Sequence, residues 1–243
     1  MTDAELAARL AGAAGKVLLA IRGSELMSGA SLGRAGDAAA NAVIVEALTQ
    51  HRPDDCLLSE ERECDGARLG EERVWIVDPL DGTREYSEGR DDWAVHVALA
   101  IDGKARVGAV ALPARGLVLR SDQPQPLSQL GQPLRLLVSR TRAPALVERV
   151  AATLGAELVP MGSAGAKAMA VVLGEGDAYV HSGGQHQWDN CAPVAVAHAY
   201  GLVCERLDGS PLVYNGQDTL VPDLLICRPE CADQVRAAMR RAI

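Results

Sequence analysis

Residues Trp75–Thr83 read Trp-Ile-Val-Asp-Pro-Leu-Asp-Gly-Thr and form the most informative stretch of this 243-residue chain. The apolar run Val74–Val77 favours a buried strand, and it ends at two carboxylates, Asp78 and Asp81. Hard divalent cations prefer oxygen ligands, and a rigid sheet can hold carboxylates at the spacing that a metal requires. The stretch therefore predicts a strand that ends in a pair of metal ligands.

The backbone around these two acids favours a ligand-binding corner. Pro79 restricts Asp78 to an extended conformation, and Gly82 lets the chain approach a ligand closely. A helix that begins here would direct the N–H groups of Gly82 and Thr83 towards a phosphate. The alternative, which these residues leave open, is an Asp-rich turn in which Asp81 caps a helix.

Two further acidic sites lie elsewhere in the chain. Ser59-Glu60-Glu61 falls in a loop upstream of the strand, and Trp188-Asp189 opens a late helix. Taken singly, Glu60 is explained as a solvated loop acid and Asp189 as a helix N-cap. Taken together with the corner at Asp78 and Asp81, they suggest one shared acidic centre.

Two competing phosphate motifs do not fit. The Asp78–Thr83 spacing is DxxD, whereas the phosphatases that form a phospho-aspartate use DxDxT. The segment Gly162–Lys167 is similar to a phosphate loop but lacks the GK[ST] ending of a Walker motif. Neither a covalent phosphoenzyme nor a P-loop NTPase is therefore expected.

Composition excludes several classes of protein. The formal charge is −8, from 32 acidic and 24 basic residues, which argues against a nucleic-acid binder. No apolar run reaches the ~18 residues of a membrane span, and no secretory leader opens the chain, so membrane insertion and export are disfavoured. The six cysteines form no CxxC pair, which favours reduced thiols in a cytoplasmic protein.

Periodicity divides the chain into two halves, 1–133 and 134–243, at the Pro/Gln/Ser-rich segment Ser121–Pro133. The first half has an amphipathic helix over the first 22 residues, a Gly/Ser-rich stretch from Gly23 to Gly36 that is expected to be mobile, and a second helix from Asp37. Strands are expected over Trp93–Ile101 and Arg106–Leu112, joined by a turn at Asp102-Gly103. In the second half, strands are predicted over Leu134–Val138 and Asp177–His181, and helices over Pro144–Leu154, Ala164–Leu173 and Asp189–Tyr200. Because this order lacks a regular βαβ repeat, it favours a layered mixed α/β or α+β sandwich over a Rossmann fold.

Three motifs together, Trp75–Thr83, Leu58–Glu61 and Trp188-Asp189, resemble the lithium-sensitive, magnesium-dependent phosphatase superfamily that includes inositol monophosphatase. Arg84-Glu85-Tyr86 after the Gly-Thr pair, and the run Trp188–Pro193, are similar to the CysQ-type 3′-phosphoadenosine 5′-phosphate phosphatase branch. The resemblance extends from about Asp37 to near Asn215. One departure is Arg34, which stands where the family pattern before Asp37 carries Thr.

The resemblance implies a layered αβαβα sandwich with metals at the seam between its halves. It implies that two or three Mg²⁺ ions are held by Glu60, Asp78, Asp81, Asp189 and the backbone carbonyl of Leu80. It also implies catalytic roles for Thr83, Asp37 and Glu60, with Thr83 and Asp37 orienting the attacking water. Substrate contacts are expected from Asp81, Gly82, Thr83, Ser163, Lys167 and Asp189.

Lys167 is equally well explained as a solvated helix residue. With only 3% aromatic residues, a stacked base would depend on Tyr179, Tyr86, an imidazole or aliphatic walls.

The function implied by the resemblance is removal of the 3′-phosphate from adenosine 3′,5′-bisphosphate, with the sulfated nucleotide as a further candidate, in sulfate assimilation. The enzyme is expected to be a lithium-sensitive homodimer whose partners are small molecules, without nucleic acid or membrane. One alternative is an inositol monophosphatase or fructose-1,6-bisphosphatase of broad specificity. An alternative of another class is an inactive member that binds nucleotide or metal as a sensor.

Overall fold

The computed structural model describes residues 1–62, 66–141 and 143–242. The α-helices in these ranges are α1 (Asp3–Gly23), α2 (Gly29–His51), α3 (Thr83–Ser87), α4 (Ala145–Leu154), α5 (Ala164–Val172), α6 (Gln187–Ala199) and α7 (Ala232–Ala242). The strands are β1 (Cys56–Ser59), β2 (Arg73–Asp81), β3 (Ala94–Ile101), β4 (Lys104–Leu112), β5 (Leu117–Arg120), β6 (Arg135–Ser139), β7 (Glu157–Met161), β8 (Ala178–His186), β9 (Val203–Glu205) and β10 (Leu220–Cys227).

The strands form two five-stranded sheets. The first has the order β1-β2-β3-β4-β5, in which β1 is parallel to β2 and the remaining neighbours are antiparallel. The second has the order β7-β6-β8-β10-β9, in which β6 is parallel to β7 and β8, and β10 is antiparallel to β8 and β9. The Asp102-Gly103 turn joins β3 and β4 as the sequence predicts.

Strand β2 shows how the layers are built, because successive side chains point to opposite faces of a sheet. Val74 and Ile76 pack in a core shared with α5 and α6, which lie between the two sheets. Trp75 and Val77 pack on the other face, against α1 and α2. Helices α4 and α7 cover the outer face of the second sheet. The layers are therefore αβαβα, which confirms the expected fold class.

The central layer is made of small side chains, and the chain contains no Phe. Residues 165–172 of α5 are all buried, and the apolar ones are Ala, Val and Met. Such helices can lie close to a sheet on each side, so the interior is filled by many short contacts rather than by a few large rings.

The sequence-based prediction for residues 23–36 is wrong over most of its length. Helix α2 begins at Gly29, not at Asp37, and only residues 24–28 separate it from α1. Glycines lower intrinsic helix propensity, but here Gly33 and Gly36 face neighbouring side chains at close range. A Cβ at Gly33 would lie 2.7 Å from Thr83 Cγ2, and one at Gly36 would lie 3.0 Å from Tyr86 Cε1. Tertiary packing therefore keeps this segment helical.

The segment Ser121–Pro133 connects the two sheets. The division into units 1–133 and 134–243 stays a prediction, because α5 and α6 come from the second part of the chain yet pack on the first sheet. The prediction did not include β5, β7, β9, β10 and α7, which are short or edge elements or lie near the C-terminus. Strand β1 lies in the short apolar stretch that precedes Glu60 and Glu61, and Cys64 lies outside the described residues.

Helices in the described part of the chain lack the combination of length and apolar composition that a membrane span requires. Cys191, Cys204, Cys227 and Cys231 are buried free thiols.

Candidate active site

The corner at the end of β2 is built by an interruption in strand pairing. Asp78 still pairs with His96 of β3, but the register shifts before Asp81. The Asp78 carboxylate accepts a hydrogen bond from the Leu80 N–H at 3.0 Å, which turns the chain through Pro79. Gly82 follows with φ of +88°, and α3 begins at Thr83. A short helix therefore does begin at this point, which the sequence had left open.

Three carboxylates meet at this corner. One oxygen from each of Asp78, Asp81 and Asp189 lies within 4.8 Å of the others. Asp189 reaches the corner because α6 begins at Gln187, and its Oδ2 accepts a hydrogen bond from the His186 N–H at 2.6 Å. Asp189 is thus both a helix-capping residue and a member of the acidic centre.

Glu60 joins the same centre from β1. The strand is parallel to β2, with Ser59 opposite Val77, and the Glu60 N–H donates to the Val77 carbonyl at 3.4 Å. Its carboxyl is hydrogen-bonded to Asp78. The structure therefore brings Glu60, Asp78, Asp81 and Asp189 together, although they are far apart in sequence.

Asp37 reaches the site from α2 and is 6% exposed. Its carboxyl lies close to Glu61 and to Thr83. The Thr83 hydroxyl is also 3.1 Å from the Leu80 carbonyl, to which it donates. Thr83 therefore lies between Asp37 and the acidic corner, where its side chain can orient a polar group.

Burial and the closeness of the carboxylates to one another raise most of their pKa values. Burial raises the pKa of Asp37 to about 8 and that of Asp189 to about 7, and neighbouring carboxylates add to both shifts. Burial and the charges of Asp81 and Glu60 raise the pKa of Asp78 well above its usual range. The pKa of Glu60 is also raised, by partial burial and by the nearby Asp81 and Glu61, against the hydrogen bond from Asp78.

Asp81 is the exception. Burial would raise its pKa, but the charge and contact of His96, with hydrogen bonds from Ser163 and the Gly165 N–H, lower it to about 2. The Gly165 N–H donates to Oδ2 at 2.6 Å and the Ala164 N–H to Oδ1 at 3.1 Å. Asp81 does cap a helix, but that helix is α5 rather than α3.

This donor set fits divalent cations. Oxygen atoms predominate, as Mg²⁺ prefers, and Asp37 Oδ1 is a buried carboxylate oxygen without a hydrogen-bond partner among the described residues. A buried carboxylate oxygen without a partner is costly, and a bound cation would stabilise it. Glu60, Asp78, Asp81, Asp189 and the Leu80 carbonyl would hold the cations.

A model of the inositol monophosphatase family matches residues 4–242. The chain belongs to the inositol monophosphatase family. Members of this family are metal-dependent and act on small phosphorylated substrates, in agreement with the acidic centre described above.

Relatives within the inositol monophosphatase family are similar over most of this chain. The 3′-phosphoadenosine 5′-phosphate phosphatase of Mycobacterium bovis is 51% identical over 240 residues, covering 94% of this chain and 90% of the relative. The enzyme of the same name from Mycobacterium leprae is 48% identical over 255 residues, covering 99% and 94%. The crystal structure of CysQ from Bacteroides thetaiotaomicron is similar with a TM-score of 0.80 at 25% identity, covering 92% and 96%.

The residues expected to contact the rest of the substrate are more enclosed than the sequence suggests. The Ser163 hydroxyl donates to Asp81 and accepts from the Ala166 N–H at 2.9 Å. Lys167 is 6% exposed, donates to the Gly162 and Ser163 carbonyls, and lies over the Tyr179 ring. A solvated Lys167 is therefore excluded.

Neither tyrosine considered for base stacking is available. Tyr86 is fully buried, donates to the Leu18 carbonyl at 2.8 Å and packs edge-on against Trp93. Tyr179 is 1% exposed, and its hydroxyl accepts from Gln185 at 2.8 Å.

Two residues of the site were missed by sequence reasoning. Glu61 is part of the quoted Leu58–Glu61 motif, but nothing in the sequence shows that its side chain meets Asp37. His96 lies in a strand that is otherwise apolar, and this polar interruption was the available signal. Its partner was hidden, because the pairing of β3 with β2 is a tertiary property.

Proposed function

We propose that this member of the inositol monophosphatase family is a Mg²⁺-dependent phosphomonoesterase that hydrolyses the 3′-phosphate of adenosine 3′,5′-bisphosphate to give AMP and phosphate. The observation that carries the proposal is the convergence of Asp78, Asp81 and Asp189 within 4.8 Å beside Thr83. The 48–51% identical relatives named as 3′-phosphoadenosine 5′-phosphate phosphatases support the substrate.

The metal ions would occupy the acidic corner of Glu60, Asp78, Asp81, Asp189 and the Leu80 carbonyl. When bound there, they neutralise the phosphate oxygens, lower the pKa of water and stabilise the leaving alkoxide. The protein holds its carboxylates on the ends of β1, β2 and α6, which packing fixes relative to one another. This preorganisation explains how a chain of net charge −8 handles a polyanionic substrate.

Asp37 and Thr83 are proposed to orient the attacking water and to receive its proton. The Thr83 hydroxyl is placed between the Asp37 carboxyl and the Leu80 carbonyl. Because burial raises the pKa of Asp37 to about 8, this carboxyl is a stronger proton acceptor than an exposed Asp. Glu60, whose carboxyl lies close to that of Asp78, is proposed to assist.

The scissile phosphate is proposed to lie against the turn at Gly82 and Thr83. The positive φ of Gly82 exposes backbone N–H groups at the start of α3, and backbone N–H groups bind phosphate oxygens. A Cβ at Gly82 would lie 3.0 Å from Ser163 Cβ and 3.3 Å from Glu85 Oε2, so the turn requires glycine.

The nucleoside is proposed to occupy a neighbouring cavity in the second sheet. The cavity has a volume of about 560 Å³ and is lined by residues of β6, α4 and β8, including Ser139, Leu146, His181 and Ser182. Tyr179 also lines it, and Lys167 Nζ lies 5.3 Å from the centre of the Tyr179 ring. Aliphatic walls and an imidazole would hold the base, while Lys167 and Ser163 would act near the sugar and phosphates.

The substrate proposal is tested by ranking kcat/KM for adenosine 3′,5′-bisphosphate, its sulfated form, inositol 1-phosphate and fructose 1,6-bisphosphate at one Mg²⁺ concentration. We expect the adenosine bisphosphate to lead. A tenfold lead of the inositol or sugar phosphate would replace it with the alternative of broad specificity. Absence of phosphate release from all four, with Mg²⁺ still bound, would indicate a sensor.

A homodimer is expected, and sedimentation at micromolar concentration measures it.

A further inference from the structure

His96 is a fully buried histidine in the middle of β3. Its Nδ1 is 3.0 Å from the carbonyl oxygen of Trp188, the residue that precedes Asp189. Its Nε2 is 3.3 Å from Asp81 Oδ2, an ion-pair contact that is too poorly directed to count as a hydrogen bond. One ring therefore touches an acid of β2 and the backbone at the start of α6.

A third element closes around the same ring. A Cβ placed on Gly165, in the first turn of α5, would lie 1.9 Å from His96 Nε2. Only glycine leaves the space that the imidazole occupies. The ring is therefore wedged between β2, α5 and α6, the three elements that define the geometry of Asp81 and Asp189.

The chemistry of the contacts is specific to a histidine. Both ring nitrogens face acceptors, a carbonyl and a carboxylate, and an imidazole can present an N–H at each end. An aliphatic side chain of similar volume would fill the space but would leave Asp81 with less compensation for its burial. Packing alone does not explain a polar group at this position.

We propose that His96 is a positioning residue that sets the separation of Asp81 and Asp189 and thereby the affinity of the acidic corner for Mg²⁺. The inference rests on the proposed function for its metal, but its measurement does not require turnover. His96 does not contact the reacting atoms; it acts by holding Asp81 on one side and the Trp188 peptide on the other. Partners of metal ligands commonly alter metal affinity by about 10–100-fold.

The test uses substitutions that separate the two contacts. An Asn at position 96 places its amide near Nδ1 and keeps the contact with Trp188, whereas a Gln reaches the Nε2 position and keeps the contact with Asp81. We expect His96→Asn to weaken Mg²⁺ binding about tenfold by calorimetry without substrate, and His96→Gln to stay within about threefold of the wild type. His51→Asn, at the exposed end of α2, is the matched control and should not change it.

Two outcomes overturn the proposal. Wild-type affinity in His96→Asn would show that the contact with Asp81 is not needed. Equal losses in the Asn and Gln variants would show that position 96 serves packing alone. A wild-type protein that binds Mg²⁺ tightly but releases no phosphate would overturn the proposed function and leave the role of His96 standing.

A second variant keeps the test independent of the folding of His96 variants. Gly165→Ala leaves the imidazole intact but displaces it, so we expect it to weaken Mg²⁺ binding in the wild-type background by a similar factor. In a His96→Asn background the smaller side chain makes room, and Gly165→Ala should add little. Additive losses in the double variant would contradict the proposal.

Discussion

At the scale of single residues, the acids of the site differ by their neighbours rather than by their chemistry. Asp78 and Asp81 are both buried at the end of β2. Asp78 lies mainly among carboxylates, which raise its pKa, whereas Asp81 receives donors from α5 and faces His96, which lower its pKa. One acid of the corner therefore stays ionised, and it can attract the first cation.

Replacing Asp81 tests that role. Asp81→Asn keeps the size of the side chain and removes the charge, so we expect kcat/KM to fall about a hundredfold, or roughly 3 kcal/mol of transition-state stabilisation. Circular dichroism should show that the fold is retained. Asp91→Asn, on the exposed loop before β3, is the control and should leave kcat/KM unchanged. Similar activity in both variants would remove Asp81 from the site.

The raised pKa values also predict a proton coupling. At pH 7 the carboxyls of Asp37 and Asp189, with pKa values of about 8 and 7, hold protons for much of the time. Mg²⁺ requires the ionised form of Asp189, and its charge favours the ionised form of the nearby Asp37. Binding should therefore release protons, and Mg²⁺ affinity should increase from pH 6 to pH 8.5. Calorimetry in two buffers of different ionisation enthalpy measures the number released. Zero protons at pH 7 would contradict the assignment of these acids.

At the scale of elements, the contact between α2 and α3 brings Asp37 to Thr83. Gly33 and Gly36 face α3 and its surroundings, and a Cβ at Gly33 would also lie 2.8 Å from Ser87 Oγ. The absence of side chains at these positions lets the two helices approach until the carboxyl and the hydroxyl meet. The close approach of the α2 backbone to α3 therefore places the Asp37 carboxyl beside Thr83.

Gly33→Ala tests the contact between α2 and α3, because its effects on helix propensity and on packing have opposite signs. Alanine favours a helix interior over glycine by about 1 kcal/mol, but the added methyl clashes with Thr83 and must displace α2 or α3. We expect kcat to fall at least tenfold while the thermal midpoint changes little. Gly23→Ala, where a Cβ would have no neighbour within 4 Å, should leave kcat unchanged. Equal kcat values would show that α2 can shift without moving Asp37.

How far the sequence predicts this protein depends on whether the information is local. Trp75–Thr83 contains the strand, the corner and the helix start in consecutive residues, so they are predictable. The helix over residues 29–36 is not, because its glycines lower local propensity and the compensating contacts come from α3. His96 and Glu61 illustrate the same limit within the site: the residue types are visible, but their partners depend on strand pairing and helix docking.

At the scale of the whole molecule, the site lies where the central helices meet the first sheet. Asp81 accepts hydrogen bonds from the start of α5, and Asp189 opens α6. Two further contacts join the same regions: Arg140 Nε lies 2.7 Å from Glu85 Oε1, and the Gly162 N–H donates to Asp92 at 2.6 Å. The acidic centre is therefore held by the layer structure itself.

This arrangement predicts how stability depends on pH. Folding raises the pKa values of Asp37 and Asp189 from 3.8 to about 8 and 7, so the folded state binds protons that the unfolded chain releases. Stability without cations is therefore highest below pH 4 as far as these groups are concerned, and falls as pH rises towards 8. One pKa unit corresponds to about 1.4 kcal/mol, and together the two groups cross about 4 units between pH 5.5 and pH 8. We therefore expect the thermal midpoint in EDTA to fall by roughly 10 °C over this range.

Mg²⁺ should reverse most of that fall, because it stabilises the ionised carboxylates in place of protons. Scanning calorimetry at pH 8 with and without millimolar Mg²⁺ measures the difference. Asp37→Asn removes one of the raised acids, so its midpoint in EDTA should depend less on pH. A midpoint that rises with pH in EDTA would contradict the electrostatic description of the site.

The location of Asp189 on α6 has a consequence for the order of assembly. While the chain is being made, Glu60, Asp78 and Asp81 leave the ribosome long before residue 189, and α5 must follow before Asp81 gains its donors. A nascent chain therefore lacks the complete set of carboxylates until α5 and α6 pack between the two sheets. A cation that needs all of these carboxylates would therefore bind only after the two sheets and the helices between them have docked.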